Sequence, residues 1–136
     1  MDPKKLCDLA CNAMHNAWAP YSGFSVGAAL IAKDGTVYTG CNIENAAFTP
    51  TVCAERVAFF KAIEAGQREF RAIAIAGGKG DCMPCGVCRQ VMAEFCGPEF
   101  LVYSVTAEGT YREFTLGQLL PFSFSAETMG ECHERM

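Results

Sequence analysis

Long apolar runs, histidine and positive charge are all scarce in this sequence. No hydrophobic stretch approaches the eighteen or more residues that a membrane-spanning helix needs, so none is expected. The opening Met1-Asp2-Pro3-Lys4-Lys5 has no apolar segment behind its lysines, so no export signal is expected and a cytoplasmic location is inferred. Eleven basic residues face fifteen acidic ones, for a net charge of −4. A protein that grips the nucleic-acid backbone needs lysines and arginines clustered on one face, and this balance argues against that class. A small neutral or cationic ligand fits better. Charged residues make up only 19% of the chain and hydrophobic ones 51%, which excludes intrinsic disorder. The two histidines, His15 between polar residues and His133 in the tail, do not read as metal ligands. A chain of 136 residues can bury roughly two-thirds of its unfolded surface, so one domain over 1–136 is expected, with 126–136 a loosely held polar tail.

Cysteine, by contrast, is plentiful. Nine occur, at 7, 11, 41, 53, 82, 85, 88, 96 and 132, and an odd number excludes a fully paired disulfide framework. In a reducing compartment clustered cysteines are thiols or metal ligands. Cys82, Cys85 and Cys88 fall within seven residues.

Periodicity and turn residues outline the elements. Leu6, Leu9, Ala10, Ala13, Met14 and Ala17 predict a helix over 4–18 that Pro20 stops. Two β-branched runs, 24–32 and 36–41, flank Lys33-Asp34-Gly35, a hairpin signal. Helices are predicted over 52–65, stopped by Gly66, and over 86–95, stopped by Gly97-Pro98. Strands are predicted at 70–76, 100–105 and 110–114, and a short helix at 116–120. That order suits a mixed sheet with helices on both faces and right-handed crossovers.

The chemistry-bearing strings are Cys53-Ala54-Glu55 and Pro84-Cys85-Gly86-Val87-Cys88, each opening a predicted helix. The unpaired amides and partial positive charge of a helix N-terminus favour thiolate, the form that zinc binds. Two cysteines spaced by two residues plus one from another helix leave the fourth tetrahedral position open for water, the arrangement of a catalytic zinc. Glu55 lies close enough in sequence to Cys53 to act on such a water's proton. Three thiolates overcompensate a doubly charged ion, and Arg56, with Arg89 as the alternative, is expected to hydrogen-bond sulfur and offset part of the surplus.

Cys-Ala-Glu followed by Pro-Cys-x-x-Cys resembles the signature of the zinc-dependent cytidine deaminases. The likeness extends over residues 5 to 125 or so: Ala19-Pro20-Tyr21-Ser22, Val26-Gly27-Ala28-Ala29, Gly40-Cys41-Asn42-Ile43-Glu44-Asn45-Ala46, Cys53-Ala54-Glu55-Arg56, Pro84-Cys85-Gly86-Val87-Cys88-Arg89-Gln90 and Leu119-Leu120-Pro121 all look like the small homotetrameric form. The resemblance implies a three-layer α/β/α sandwich with a mixed five-stranded sheet, and hydrolysis of cytidine and 2′-deoxycytidine to the uridines in pyrimidine salvage. It implies one zinc ion per chain on Cys53, Cys85 and Cys88, with Glu55 the proton shuttle. It places Phe24 against the base, Ala54 among the substrate contacts, Asn42 and Glu44 on the ribose hydroxyls, and an aromatic residue from a neighbouring subunit, Phe124 with Phe122 as the register alternative, in each active site. Relatives commonly carry tyrosine where this chain has Phe48, so a hydroxyl is missing there.

Other readings compete. Cys82 as a fourth ligand would close the site and make the zinc structural. The Cys82-x-x-Cys85-x-x-Cys88 run resembles the start of an iron–sulfur motif, but Cys96 follows too late and Gly97 stands where proline is expected. Another small heterocycle or a nucleoside antibiotic is an alternative substrate, opposed by the sugar-binding roles implied for Asn42 and Glu44. Editing of polynucleotides is opposed by the acidic charge. The remaining cysteines read as small apolar side chains.

Overall fold

The computed structural model describes residues 1–78 and 80–129. Helix α1 (Pro3–Ala13) starts where the Asp2 carboxylate accepts the Lys4 N–H at 3.1 Å and proline occupies the first turn. It buries Leu6, Cys7 and Ala10. It ends earlier than periodicity predicts, in a 3₁₀ turn over Met14–Asn16, because the chain then extends: the Trp18 N–H donates to the Asn42 carbonyl at 3.0 Å. Strands β1 (Val26–Ala32) and β2 (Val37–Cys41) form the predicted hairpin. Gly35 supplies a φ of +92° at its turn, and the Asp34 carboxylate accepts the Thr36 N–H at 2.9 Å.

Helix α2 (Ala54–Glu64), strand β3 (Phe70–Gly77), helix α3 (Gly86–Phe95), strands β4 (Leu101–Val105) and β5 (Tyr111–Thr115), and the short helix α4 (Leu116–Leu119) follow. A reciprocal capping box between Thr115 and Gln118 starts α4. Each predicted element is present, with ends displaced by at most two residues except at the end of α1. Residues 126–129 form one further helical turn; the rest of the expected tail, with Cys132 and His133, lies outside the described residues.

The sheet runs β2-β1-β3-β4-β5. Only β3 and β4 pair in parallel, across the α3 crossover, so the sheet is mixed as expected. Alternating side chains divide the core into two layers. Ala29, Ile31, Ala74, Ala76 and Tyr103 meet Leu6, Cys7 and Ala10 of α1. Ala28, Leu30, Ile73, Ile75 and Val102 meet Ala58, Phe59, Cys88 and Met92 of α2 and α3. The Phe59 ring packs against Phe70, Phe95 and Phe100 with centroids 5.1, 6.4 and 6.1 Å away. The result is a three-layer α/β/α sandwich.

Direction along the strands decides where the site forms. β2 and β3 are each antiparallel to β1 and therefore point the same way. The chain leaves β2 towards α2 and β3 towards α3, so both helices begin at the same end of the sheet. The start of β1 lies there too, Val26 opposite Gly77. Ligands in open α/β sheets bind beyond the carboxyl ends of strands for this reason.

Candidate active site

Cys53 is the N-cap of α2 and Cys85 the N-cap of α3; Cys88 follows one turn into α3. Neither N-cap cysteine caps its helix through sulfur, which leaves both sulfurs free to face one another. The three sulfurs lie within 4.8 Å of one another, with Cys53 Sγ to Cys85 Sγ 3.7 Å and Cys85 Sγ to Cys88 Sγ 3.5 Å. Sulfurs bound tetrahedrally to zinc at 2.3 Å stand about 3.8 Å apart, so the trio fits that ion with little movement. Among the described residues this is the one group of three or more such side chains positioned to hold a metal. Cys82 is not part of it, so the fourth-ligand reading finds no support in the geometry.

Arg56 Nη2 points at Cys53 Sγ from 3.6 Å, while Arg56 Nε is buried without a hydrogen-bond partner. A guanidinium set against sulfur, with its Nε out of solvent and unpartnered, is suited to an anionic cluster, which is the second observation favouring a thiolate-bound cation. Arg89, the alternative, turns elsewhere: its Nε donates to the Pro84 carbonyl at 2.8 Å and its Nη1 to the Leu119 carbonyl at 2.7 Å. Charge is unevenly shared among the sulfurs. The neighbouring Cys88 thiol, aided by Arg56, holds the Cys53 thiol well below its ordinary range, while Cys53 and then burial push Cys88 upward.

Glu55 sits in the first turn of α2 and is only 4% exposed. Burial pushes its carboxyl up to about 7; the negative charge of Cys53 adds to the rise, and its own amide and the Cys88 thiol oppose it. A carboxyl that feels both cysteines lies beside the trio. Ala54 is fully buried where α2 begins. α2 approaches this closely because Gly40 has no side chain: a Cβ there would collide with the Ala54 carbonyl oxygen and lie 2.7 Å from the Ala58 nitrogen.

A cavity of about 290 Å³ opens onto the trio. Its walls include Phe24, Val26, Asn42, Glu44, Val52, Cys53, Ala54, Glu55 and Cys85, so it gathers most of the residues singled out in the sequence. Asn42 is tied into its frame: Oδ1 accepts the Val26 N–H and Nδ2 donates to the Phe24 carbonyl, both at 2.8 Å. One lone pair and one N–H remain for a ligand. The Glu44 carboxylate accepts the Tyr21 and Ser22 N–H groups at 2.9 and 3.0 Å and the Ser22 hydroxyl as well. That hydroxyl, then the amides, holds its carboxyl below the usual range.

Sequence reasoning gave no substrate-binding role to six wall residues: Ser22, Val26, Thr51, Val52, Cys82 and Met83. Ser22 stands in a string that had been singled out, but only the fold turns its hydroxyl to Glu44. Cys82, read as a spare ligand, is a half-buried wall thiol that burial pushes up to about 11. Phe48 is 73% exposed with a φ of +63°, in an adjoining hollow with Tyr21 and Asn45. Phe122 and Phe124 are exposed, and neither lines this chain's own cavity.

Known proteins are similar to this chain in sequence and fold. Residues 1–104 match the model of the cytidine and deoxycytidylate deaminase zinc-binding region. The cytidine deaminase of Sporosarcina psychrophila is 49% identical over 136 residues, covering 99% of this chain and all of that one. That of Halalkalibacterium halodurans is 48% identical over 132 residues, 96% of this chain and all of that one. The crystal structure of cytidine deaminase from Burkholderia pseudomallei superposes with a TM-score of 0.87 at 46% identity, covering 91% of this chain and all of that one. With a sulfur trio spaced for zinc, a buried glutamate beside it and likeness along nearly its whole length, the chain belongs to the cytidine and deoxycytidylate deaminase zinc-binding family.

Proposed function

We propose that the chain hydrolyses cytidine and 2′-deoxycytidine to uridine and 2′-deoxyuridine with release of ammonia, serving pyrimidine salvage. The observation that carries this reading is one small cavity with Cys53 and Cys85 of the sulfur trio and Glu55 on its wall together with Asn42 and Glu44. Its volume of about 290 Å³ suits a nucleoside-sized ligand. Asn42 and Glu44 would take the ribose hydroxyls, the amide with its remaining lone pair and N–H, the carboxylate as acceptor. Phe24 would offer its ring face to the base and Ala54, with only a methyl side chain, a close approach at the helix start. No lysine or arginine lines the cavity, so a free nucleoside is favoured over a nucleotide.

Cys53, Cys85 and Cys88 would hold the zinc, which when bound acidifies a water and so supplies the nucleophile for the ring carbon bearing the amino group. Glu55 accepts the proton released and carries it to the adjacent ring nitrogen; a second transfer by the same carboxyl lets the amino group depart as ammonia. Its burial keeps bulk water from competing for that proton. Arg56 offsets the anionic sulfurs through its contact with Cys53.

A homotetramer with active sites completed by neighbouring chains, through Phe124 or Phe122, belongs to the same proposal. Exposed Trp18, Ile43, Phe48, Phe60, Phe122 and Phe124 support association, since a soluble monomer seldom leaves so much apolar area bare. Among the described residues no helix is long and apolar enough to cross a membrane. A reducing, cytoplasmic setting is proposed, supported by eight cysteines that stand unpaired among the described residues.

The test supplies cytidine, 2′-deoxycytidine, cytosine and cytidine monophosphate in turn and follows ultraviolet absorbance and ammonia. Turnover of the nucleosides, abolished in Glu55→Ala with zinc still at one per chain, is expected. Undiminished turnover in that variant refutes the proton shuttle, and preference for cytosine or the monophosphate refutes the sugar-binding assignment.

A further inference from the structure

Helix α3 carries two of the three sulfurs at its start, yet no side-chain cap secures that turn. Its N-cap is Cys85, whose side chain makes no capping hydrogen bond. The Cys85 sulfur is turned towards those of Cys53 and Cys88 and not towards the helix amides, so the entry peptide is fixed by another group. The preceding residue, Pro84, is fully buried and lacks an N–H, so its carbonyl is its only backbone hydrogen-bonding group.

Arg89 takes that carbonyl. Its Nε donates to Pro84 O at 2.8 Å while Nη1 of the same planar fork donates to Leu119 O at 2.7 Å, at the end of α4. The backbone N–H of Arg89 meanwhile donates to Cys85 O at 3.0 Å. One residue thus pins the peptide units on both sides of the Cys85 N-cap and ties them to a carbonyl thirty residues from Arg89 in sequence. The neighbouring Gln90 extends the attachment, its Nε2 donating to Phe124 O at 2.8 Å. A guanidinium can bridge two carbonyls in fixed directions; an ammonium on a flexible stem makes point contacts and holds no such angle.

We infer that Arg89 is a positioning residue for the metal ligands: its bridge between the Pro84 and Leu119 carbonyls fixes the directions of Cys85 and Cys88 and makes zinc retention depend on the end of α4. The inference rests on the zinc reading above. It assigns Arg89 a task distinct from that of Arg56, which meets sulfur directly.

The test follows transfer of zinc from the loaded full-length protein to a chromogenic chelator in the wild type, Arg89→Lys, Arg89→Ala and Leu6→Ala. Leu6 lies in the core layer on the opposite face of the sheet and reports loss of stability alone. Supporting partners of metal ligands are worth about 10- to 100-fold in affinity, so release at least about tenfold faster is expected in both Arg89 variants. Leu6→Ala should release at the wild-type rate despite a lower Tm, and millimolar guanidinium should slow release from Arg89→Ala. Wild-type release rates in the Arg89 variants, or equal acceleration in Leu6→Ala, overturn the inference. Should the wild-type chain retain no zinc, the zinc reading falls by itself. Arg89 is then decided by amide hydrogen exchange at residues 88 and 89 of the metal-free protein, faster in Arg89→Lys if the bridge holds the turn and unchanged if it does not.

Discussion

Two glycines offer a direct test of how backbone packing places the reactive groups. Gly27 on β1 and Gly40 on β2 each let a helix lie against the sheet without an intervening side chain. A Cβ at Gly27 would strike the Ala10 carbonyl oxygen and stand 2.6 Å from the Met14 nitrogen; one at Gly40 would strike the Ala54 carbonyl oxygen and stand 2.7 Å from the Ala58 nitrogen. In both cases the obstacle is helix backbone, which moves only as a unit. Overpacking of this kind costs about 1–3 kcal/mol. For a chain of this size each kilocalorie lowers Tm by roughly 3–4 °C, so both alanine variants should melt about 3–12 °C lower.

Their catalytic effects should differ sharply. α1 lies on the face away from the cavity, whereas the first turn of α2 carries Glu55 and begins at Cys53. Relieving a 2.7 Å contact to ordinary van der Waals separation displaces α2 by most of an ångström. A misplacement of that size is worth about 100-fold in rate. Gly40→Ala should therefore lose about 10- to 100-fold in kcat/KM for cytidine, while Gly27→Ala stays within about threefold at a temperature where both are folded. Steady-state kinetics at 20 °C beside thermal melts at equal protein concentration provide the comparison. If Gly40→Ala melts lower yet keeps wild-type kcat/KM, close approach of α2 does not set the site, and the argument fails.

Other consequences are quick to check. Cys82→Ala should keep one zinc per chain by atomic emission, since Cys82 stands outside the sulfur trio, whereas Cys53→Ala should lose it. Glu44 is held below its ordinary value by Ser22, so its charge persists to lower pH than that of a free carboxylate. The KM for cytidine should stay flat as pH falls towards about 4.5 and rise only below, and in Ser22→Ala the rise should begin at higher pH. Burial pushes the Cys7 and Cys96 thiols up to about 11 and about 12, so both are protonated at pH 8 and should resist iodoacetamide until the protein is unfolded, as peptide mapping would reveal.

Local signals carried much of this protein. Gly35 and Gly66 adopt the positive φ that their turn positions announced, and Asp34-Gly35 made the hairpin legible because a tight turn is decided within four residues. Cys53, Glu55, Cys85 and Cys88 were legible for a similar reason: metal spacing and helix starts are short-range patterns. Strand order was not, because β2-β1-β3-β4-β5 depends on which apolar edges meet after the chain has folded back. Only that order brings the starts of α2 and α3 together. The same holds for single side chains. Asn42 spends half its hydrogen-bonding capacity on Val26 and Phe24, Cys82 lines a wall instead of joining the trio, and Arg89 reaches across to Leu119. Sequence fixes which groups a chain can offer within a turn or two; partners sixteen to thirty residues apart are chosen by packing, since burial leaves each polar atom few places to satisfy itself.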